Sequence, residues 1–158
     1  MWATLIALET DGEIVCGVVS APALGERFAA ARGEGATRNG EPIRVSDVAD
    51  LSEARIGFGS VHAFADHGVL DRFNRLMDAS KADRGIGDFY GHMLVAAGSL
   101  DACIEPSLKP WDLGPLIVIV EEAGGRLTDR RGEPSIYGGS AITSNRVLHD
   151  AVRAIFGT

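Results

Sequence analysis

Residues 109–125 read Lys-Pro-Trp-Asp-Leu-Gly-Pro-Leu-Ile-Val-Ile-Val-Glu-Glu-Ala-Gly-Gly, and this stretch decides the fold. The β-branched run 116–120 favours a strand on propensity alone. A cap at Asp112, the acidic continuation after the run and the stop at Gly124-Gly125 favour a buried helix instead. We therefore predict a helix that begins at Asp112, with Pro115 in its first turn, where a missing N–H is tolerated.

A second carboxylate precedes this helix. Glu105 stands seven positions before Asp112, at the end of an apolar run, 100–104, that predicts a strand. We expect the two carboxylates to lie on the same side of the fold. Asp112 can cap backbone N–H groups or face outward to a cation. The order of acid, capped helix and glycine stop indicates half of a metal-phosphate site.

The first 45 residues predict an antiparallel meander. Asp11-Gly12 separates two apolar runs and signals a tight hairpin, and Asn39-Gly40 signals another turn. The predicted strands are 4–8, 14–19, 28–31 and 42–45. A chain that begins directly in a strand suggests an edge that is left uncovered or that a partner covers. We assign residues 1–50 to the antiparallel strands of a first subdomain.

Strands and helices alternate over residues 51–158, which we assign to an α/β subdomain. Asp66 is a possible cap of the first helix, and Asp88 of the second, which stops at Gly98. The predicted strands are 55–59, 82–86, 100–104, 126–128 and 141–143, and the predicted helices other than that after Asp112 span 69–77, 88–97 and 148–155. The fold class is therefore α+β or α/β, an antiparallel meander followed by a strand–helix layer.

Composition restricts the partners. The 158 residues carry a net charge of −7, which argues against nucleic acid or an anionic membrane as the main partner. The sequence has no apolar run of transmembrane length. Cys16 and Cys103 form no disulfide framework and no metal spacing, so we expect buried thiols in a reducing cytoplasm.

Several motifs together resemble one known family. Trp111-Asp112 before a helix that ends in Gly-Gly is similar to the C-terminal motif of the inositol monophosphatase family of Mg²⁺-dependent phosphomonoesterases. The run Arg-Gly-Ile-Gly-Asp-Phe-Tyr at 84–90 looks like the second signature of that family, and its Gly-Asp-Phe version is similar to the histidinol-phosphatase branch. Residues 2–8, 31–35 and 39–40 resemble the same branch, and the family likeness also implies a helix after Asp112.

The chain departs from the family pattern at its front. Family members carry an upstream Gly-Glu-Glu and an Asp-Pro-x-Asp-Gly-Thr motif, which supply further metal-binding carboxylates, and neither string occurs here. We expect the chain to correspond to roughly the last three-fifths of a family member. The sequence leaves open whether a natural short gene, a misplaced start or a shortened expression product explains this.

The resemblance assigns roles to single residues. Asp112 would bind Mg²⁺, and no catalytic residue is identified in this chain. The substrate-binding residues would be Arg84, Gly87, Asp88, Phe89 and Glu105. Simpler interpretations remain beside these roles, because Asp112 and Asp88 could be ordinary helix caps and Glu105 a solvated acid. His92, one turn after Asp88, favours a packing role over a pair with it.

The resemblance therefore predicts a Mg²⁺-dependent phosphomonoesterase that acts on a small phosphorylated metabolite, with histidinol phosphate first. We expect this chain to be weakly active or inactive, because the upstream metal ligands are not in it. Two alternatives stay open. One is an inositol or sugar monophosphate phosphatase, and the other is a non-catalytic remnant that acts as a dimerisation or binding module. A homodimer is expected by analogy with the family.

Overall fold

A computed structural model describes residues 2–158, in which two five-stranded sheets enclose a pair of helices. The first sheet is an antiparallel meander in chain order, which confirms the predicted arrangement. Its strands are β1 (Thr4–Thr10), β2 (Glu13–Ala21), β3 (Glu26–Ala31), β4 (Gly35–Arg38) and β5 (Glu41–Pro42). Asp11 and Gly12 join β1 to β2 with positive φ angles of 53° and 81°, as a tight hairpin requires.

The second sheet is mixed, with the strand order β7-β6-β8-β10-β9. Its strands are β6 (Arg55–Phe58), β7 (Ala82–Gly85), β8 (Ala102–Glu105), β9 (Gly125–Thr128) and β10 (Ala141–Asn145). Strand β6 pairs in parallel with β7 and β8, whereas β10 runs antiparallel to β8 and β9. The helices are α1 (Val61–Asp66), α2 (Leu70–Ala79), α3 (Asp88–Ala96), α4 (Pro110–Glu122) and α5 (His149–Phe156).

Two hydrophobic cores define the layers. One core joins α3 and α4 to the inner face of the meander, and residues 113–120 of α4 are all buried in it. The other core packs α1, α2 and α5 on the opposite side of the mixed sheet. The layers therefore run meander, α3 and α4, mixed sheet, then α1, α2 and α5. This architecture confirms the predicted fold class, while the division of the chain at residue 50 stays a prediction.

Helix α4 confirms the choice of helix over strand for residues 116–120, but its start differs from the prediction. The helix begins at Pro110, whose fixed φ suits a first helical position, so Asp112 is the third residue and not the cap. Pro115 consequently lies inside the helix instead of in its first turn. Gly17 of β2 accommodates this proline, because a Cβ atom at Gly17 would lie 2.7 Å from Pro115 Cα.

Three other local predictions were wrong. The strand predicted over 42–45 ends at Pro42, which has no N–H, and Val45 N–H donates instead to Ala123 O at the end of α4, at 3.0 Å. Asp66 closes the short helix α1, and Val69 precedes α2. Cys16 is only partly buried, whereas Cys103 is buried as expected.

Candidate active site

The three parallel strands of the mixed sheet, β6, β7 and β8, end at the same edge of the sheet. Phe58 of β6 is in register with Gly85 of β7 and with Ile104 of β8. The residues that follow these positions, Gly59, Ile86 and Glu105, therefore lie at one edge. In α/β proteins, ligands bind at the carboxyl ends of the parallel strands. Helices α1, α3 and α4 follow β6, β7 and β8 in the chain, so their N-termini come after this edge.

Glu105 is buried at this edge, with 6% of its surface exposed. Its carboxylate lies against Gly59, where a Cβ atom would stand 2.3 Å from Oε1, so a larger residue there would displace the carboxylate. Burial, and secondarily the charge of Asp88, raise the pKa of Glu105 to about 8. Glu105 is therefore not the solvated acid of the simpler interpretation. Sequence reasoning missed Gly59, which the register of parallel strands could have indicated.

Asp88 opens α3 in an unusual backbone conformation. Its φ angle is 58°, in the left-handed region that Asp and Asn tolerate better than most residues. The cap position belongs to Gly87, and the Asp88 side chain makes no capping hydrogen bond, so the predicted cap role is wrong. The exposed Asp88 carboxylate is thus available to a ligand, and its charge acts on Glu105.

Asp112 lies in the first turn of α4. Its Oδ2 accepts a hydrogen bond from the backbone N–H of Lys109 at 3.0 Å, as in the acidic half of a capping box. This contact uses one carboxylate oxygen to fix the side chain at the helix entrance. Trp111 beside it is 72% exposed, so the Trp does not anchor the helix in the core.

A pocket of about 200 Å³ lies between the N-termini of α3 and α4. Asp88 and Phe89 line it from α3, and Asp112 lines it from α4. Its other lining residues are Trp2, Ala3, Leu5, Leu108 and Leu116. Both helix N-termini present backbone N–H groups and a positive dipole end, which favour phosphate, while the two carboxylates favour a cation. The polar features of this mostly apolar pocket are therefore two carboxylates, each near a helix N-terminus.

The structure brings some predicted site residues together and leaves others apart. Asp88, Phe89 and Asp112 share the pocket, and Glu105 is coupled to it through Asp88. Gly87 lies next to Asp88 and approaches Gly59 Cα, to which its Cβ atom would stand at 3.6 Å. Arg84 is exposed, and its guanidinium donates to the carbonyl of Asp83 at 2.6 Å, away from the pocket lining. The site roles of all these residues stay predictions.

His92 has a structural position. It is fully buried, and its Nδ1 is 2.8 Å from Thr143 Oγ1 of β10. Burial lowers the pKa of His92 to about 4, so the ring is neutral at physiological pH. This placement agrees with a packing histidine and separates it from Asp88.

The described residues offer Mg²⁺ a partial ligand set. Residues 2–158 contain no group of three or more His, Cys, Asp or Glu side chains arranged to hold a metal ion. Mg²⁺ nevertheless often takes only one or two protein carboxylates and fills its octahedron with phosphate oxygens and water. Asp112, with one oxygen outside the capping contact, and Asp88 across the pocket meet that minimum. The pocket thus offers a cation at most these two carboxylates, and any further ligands would come from outside the described residues.

Sequence relatives indicate the class of protein to which the chain belongs. The chain is 45% identical to a histidinol-phosphatase of Mycobacterium tuberculosis over 157 residues, covering 96% of this chain and 60% of the relative. It is 41% identical to a histidinol-phosphatase of Streptomyces coelicolor, covering 95% and 60%. An inositol-1-monophosphatase of Mesorhizobium japonicum is 32% identical, covering 96% and 59%. The chain is thus an α/β protein whose named relatives are phosphatases.

Solved structures agree. A Thermotoga maritima IMPase superposes with a TM-score of 0.86 at 34% identity, covering 98% of this chain and 60% of that one. The suhB protein of Bartonella henselae superposes with a TM-score of 0.90 at 33% identity and the same coverage. The family model described as "Inositol monophosphatase family" matches residues 1–156, and the chain belongs to this family. It spans about 60% of the length of these relatives.

Among residues 2–158, no helix is both long and apolar enough to cross a bilayer.

Proposed function

We propose that this chain carries the substrate side and one metal ligand of a Mg²⁺-dependent phosphomonoesterase site. The observation that supports this most is the pocket between α3 and α4, where Asp88 and Asp112 stand at two helix N-termini. Helix N-termini favour phosphate and carboxylates favour the metal that neutralises it. A phosphate ester needs both, because a carboxylate pocket alone would repel it.

Asp112 would hold Mg²⁺, with Asp88 on the other side of the pocket. Bound there, the ion would polarise the phosphoryl oxygens and lower the pKa of a bound water. The protein's own contributions are the N–H groups of the two helix starts, which bind phosphate, and the capping contact that orients Asp112. Because two carboxylates bind Mg²⁺ weakly without more ligands, we expect slow turnover or none from these 158 residues alone.

Glu105 and Asp88 favour a substrate that carries a cationic amine, such as histidinol phosphate. A cation beside Glu105 would stabilise its ionised form and reverse the effect of burial on its pKa. Two relatives, at 45% and 41% identity, are named histidinol-phosphatases. Binding of the amine at neutral pH should then release a proton from Glu105.

An inositol or sugar monophosphate is the second candidate. A carboxyl with a pKa of about 8 is largely protonated at pH 7 and can donate a hydrogen bond to a substrate hydroxyl. This mode needs no proton release. Relatives at 32% and 35% identity are named inositol-1-monophosphatases.

Calorimetry distinguishes the two substrates. Histidinol and inositol are titrated into the chain at pH 7 with Mg²⁺ and inorganic phosphate present, in two buffers of different ionisation enthalpy. We expect histidinol to bind with release of close to one proton, and Glu105→Gln to abolish the release. Tighter binding of inositol, without proton release, would favour the second candidate. Hydrolysis of both phosphate esters is followed in parallel as phosphate production.

Binding of neither compound would leave the third possibility, a non-catalytic module. Exposed Trp2, Ile6 and Leu8 lie on or beside the edge strand β1 and support a homodimer interface. The two free cysteines support a reducing cytoplasm as the location. Analytical ultracentrifugation of wild type and Ile6→Lys tests the dimer, which the substitution should dissociate. A monomeric wild type would contradict it.

A further inference from the structure

A groove lined by arginines lies on the face formed by α2 and α5. It has a volume of about 360 Å³, and Arg72 and Arg75 line it from α2. Asp150 and Arg153 line it from α5, and the C-terminal residues Gly157 and Thr158 form its edge. None of the residues of the candidate active site lines this groove.

The charges in the groove are unbalanced. The groove is lined by three arginines against the Asp150 carboxylate and the α-carboxylate of Thr158, and Asp150 Oδ1 is already 4.0 Å from Arg153 Nε and 3.4 Å from Arg126 Nη1. Within the part of the chain that the structure describes, Arg72 and Arg75 form no ion pair. This local excess of positive charge stands out in a chain whose net charge is −7.

A fourth guanidinium adjoins the groove. Arg130 lies over the Phe156 ring, with 5.7 Å between Cζ and the ring centroid. Burial, and then the charge of Arg72, lower the pKa of Arg130, so Arg72 is close enough to repel it. The Nε atoms of Arg130 and Arg153 are buried without a hydrogen-bond partner. The guanidinium of Arg130 is therefore partly desolvated, and Arg153 has only the 4.0 Å contact with Asp150 to offset its charge.

Repulsion among the guanidinium groups of the groove costs free energy, and a bound anion would reduce this repulsion. Like charges in a partly desolvated cluster repel more strongly than on an open surface, because the local dielectric is lower. Arginine guanidinium groups bind phosphate and carboxylate oxygens through two parallel hydrogen bonds. Such bonds are stronger than those between neutral groups, because both partners are charged. A volume of about 360 Å³ is within the range of small-molecule pockets.

We propose that the groove formed by Arg72, Arg75 and Arg153 binds a small polyanion that carries two phosphate groups. The concave shape favours a small molecule over a nucleic acid or an anionic membrane. The net charge of −7 favours it too, because a long polyanion would meet repulsion beyond the groove.

Isothermal titration with inorganic pyrophosphate tests the proposal. The titration is done in EDTA, so that divalent cations bridge no phosphate at the pocket of Asp112. Wild type is compared with Arg72→Ala/Arg75→Ala, which removes two exposed or half-exposed charges. The matched control is Arg27→Ala/Arg44→Ala, which changes the net charge equally and removes exposed arginines from outside the groove.

We expect pyrophosphate to bind wild type and the control alike, and the groove variant to bind at least about tenfold more weakly. Thermal unfolding with and without pyrophosphate shows whether each variant is folded and whether the ligand stabilises it. Equal weakening in both double variants would show a general charge effect and overturn the site. Absence of binding to wild type at about 10 mM pyrophosphate would overturn it as well. Tighter binding of a single-stranded oligonucleotide, lost in the same groove variant, would replace the small polyanion with nucleic acid.

Discussion

At the scale of single residues, one side of the site combines a buried carboxyl group, Glu105, with a costly backbone conformation at Asp88. Glu105 is buried against Gly59, and Asp88 adds a negative charge from a left-handed backbone position. Non-glycine residues in such conformations cost of order 1–3 kcal/mol and concentrate at functional sites. The capping contact of Asp112 with Lys109, by contrast, stabilises the helix start. The side of the pocket formed by α3 is thus strained at Asp88, whereas the side formed by α4 is stabilised by the contact of Asp112 with Lys109.

Asp88→Asn isolates the charge of Asp88 from its backbone role. Asn tolerates the left-handed conformation as well as Asp does, so the fold should be kept. Without the Asp88 charge we expect the pKa of Glu105 to fall below about 8 and to stay above its ordinary 4.5, because burial is the larger cause. Carbon-13 NMR titration of the Glu105 carboxyl measures this. An unchanged pKa would show that the two carboxylates do not interact.

At the scale of elements, helix α4 shows what the sequence could and could not predict. The acidic continuation and the glycine stop after residues 116–120 rightly indicated a helix despite their strand propensity, because a buried helix tolerates β-branched side chains. Its start was misplaced by two residues, because Pro110 at the first position fixes the helix earlier than an acidic cap indicates. The parallel edge that gathers Gly59 and Glu105 depends on contacts between distant segments, which local patterns do not contain.

The contact between β2 and α4 leads to a prediction at this scale. In Gly17→Ala, the new methyl group would stand 2.7 Å from Pro115 Cα and 2.8 Å from Val118 Cγ1, so the helix must move. We expect a loss of about 1–3 kcal/mol in the free energy of unfolding, measured with urea. Gly85→Ala is the matched strand control, because its methyl would meet Phe58 at an ordinary 3.6 Å. Equal stability of the two variants would contradict the packing of Pro115 on Gly17.

At the scale of the whole molecule, buried titratable groups set the dependence of stability on pH. His149 is fully buried, with Nδ1 2.8 Å from Ser144 Oγ and Nε2 3.0 Å from Thr128 Oγ1. Burial is the main cause that lowers the pKa of His149 to about 4, as it does for His92. Local sequence patterns do not indicate these histidine networks, because the partner residues lie on strands β9 and β10.

The signs of these shifts predict a maximum of stability between about pH 6 and 7. Below pH 6.5, His92 and His149 bind protons in the unfolded chain but stay neutral in the folded protein. Stability therefore falls as the pH drops toward about 4. Glu105 acts in the opposite direction, because the folded protein holds a proton that the unfolded chain releases above 4.5, so its contribution declines until about pH 8. Below pH 6.5 the two histidines change the free energy of unfolding more than Glu105 does, so stability rises with pH. Above pH 6.5 the declining contribution of Glu105 dominates, so stability falls.

Urea unfolding across pH 4 to 9 measures this profile. Glu105→Gln should flatten the decline above about pH 6.5, whereas the exposed acid control Glu34→Gln should keep the wild-type profile. A wild-type stability that rises steadily toward alkaline pH would show that Glu105 ionises normally in the folded protein.

The most direct test of the candidate site is the dependence of Mg²⁺ binding on Asp112. Isothermal titration of Mg²⁺ into the chain, in saturating inorganic phosphate, is compared between wild type, Asp112→Asn and the exposed control Asp47→Asn. We expect wild type and the control to bind one Mg²⁺ with equal affinity, and Asp112→Asn to bind at least about tenfold more weakly, because a neutral amide replaces the charged ligand. Equal affinity in all three proteins would contradict the assignment of Asp112 as the ligand of a metal-phosphate site.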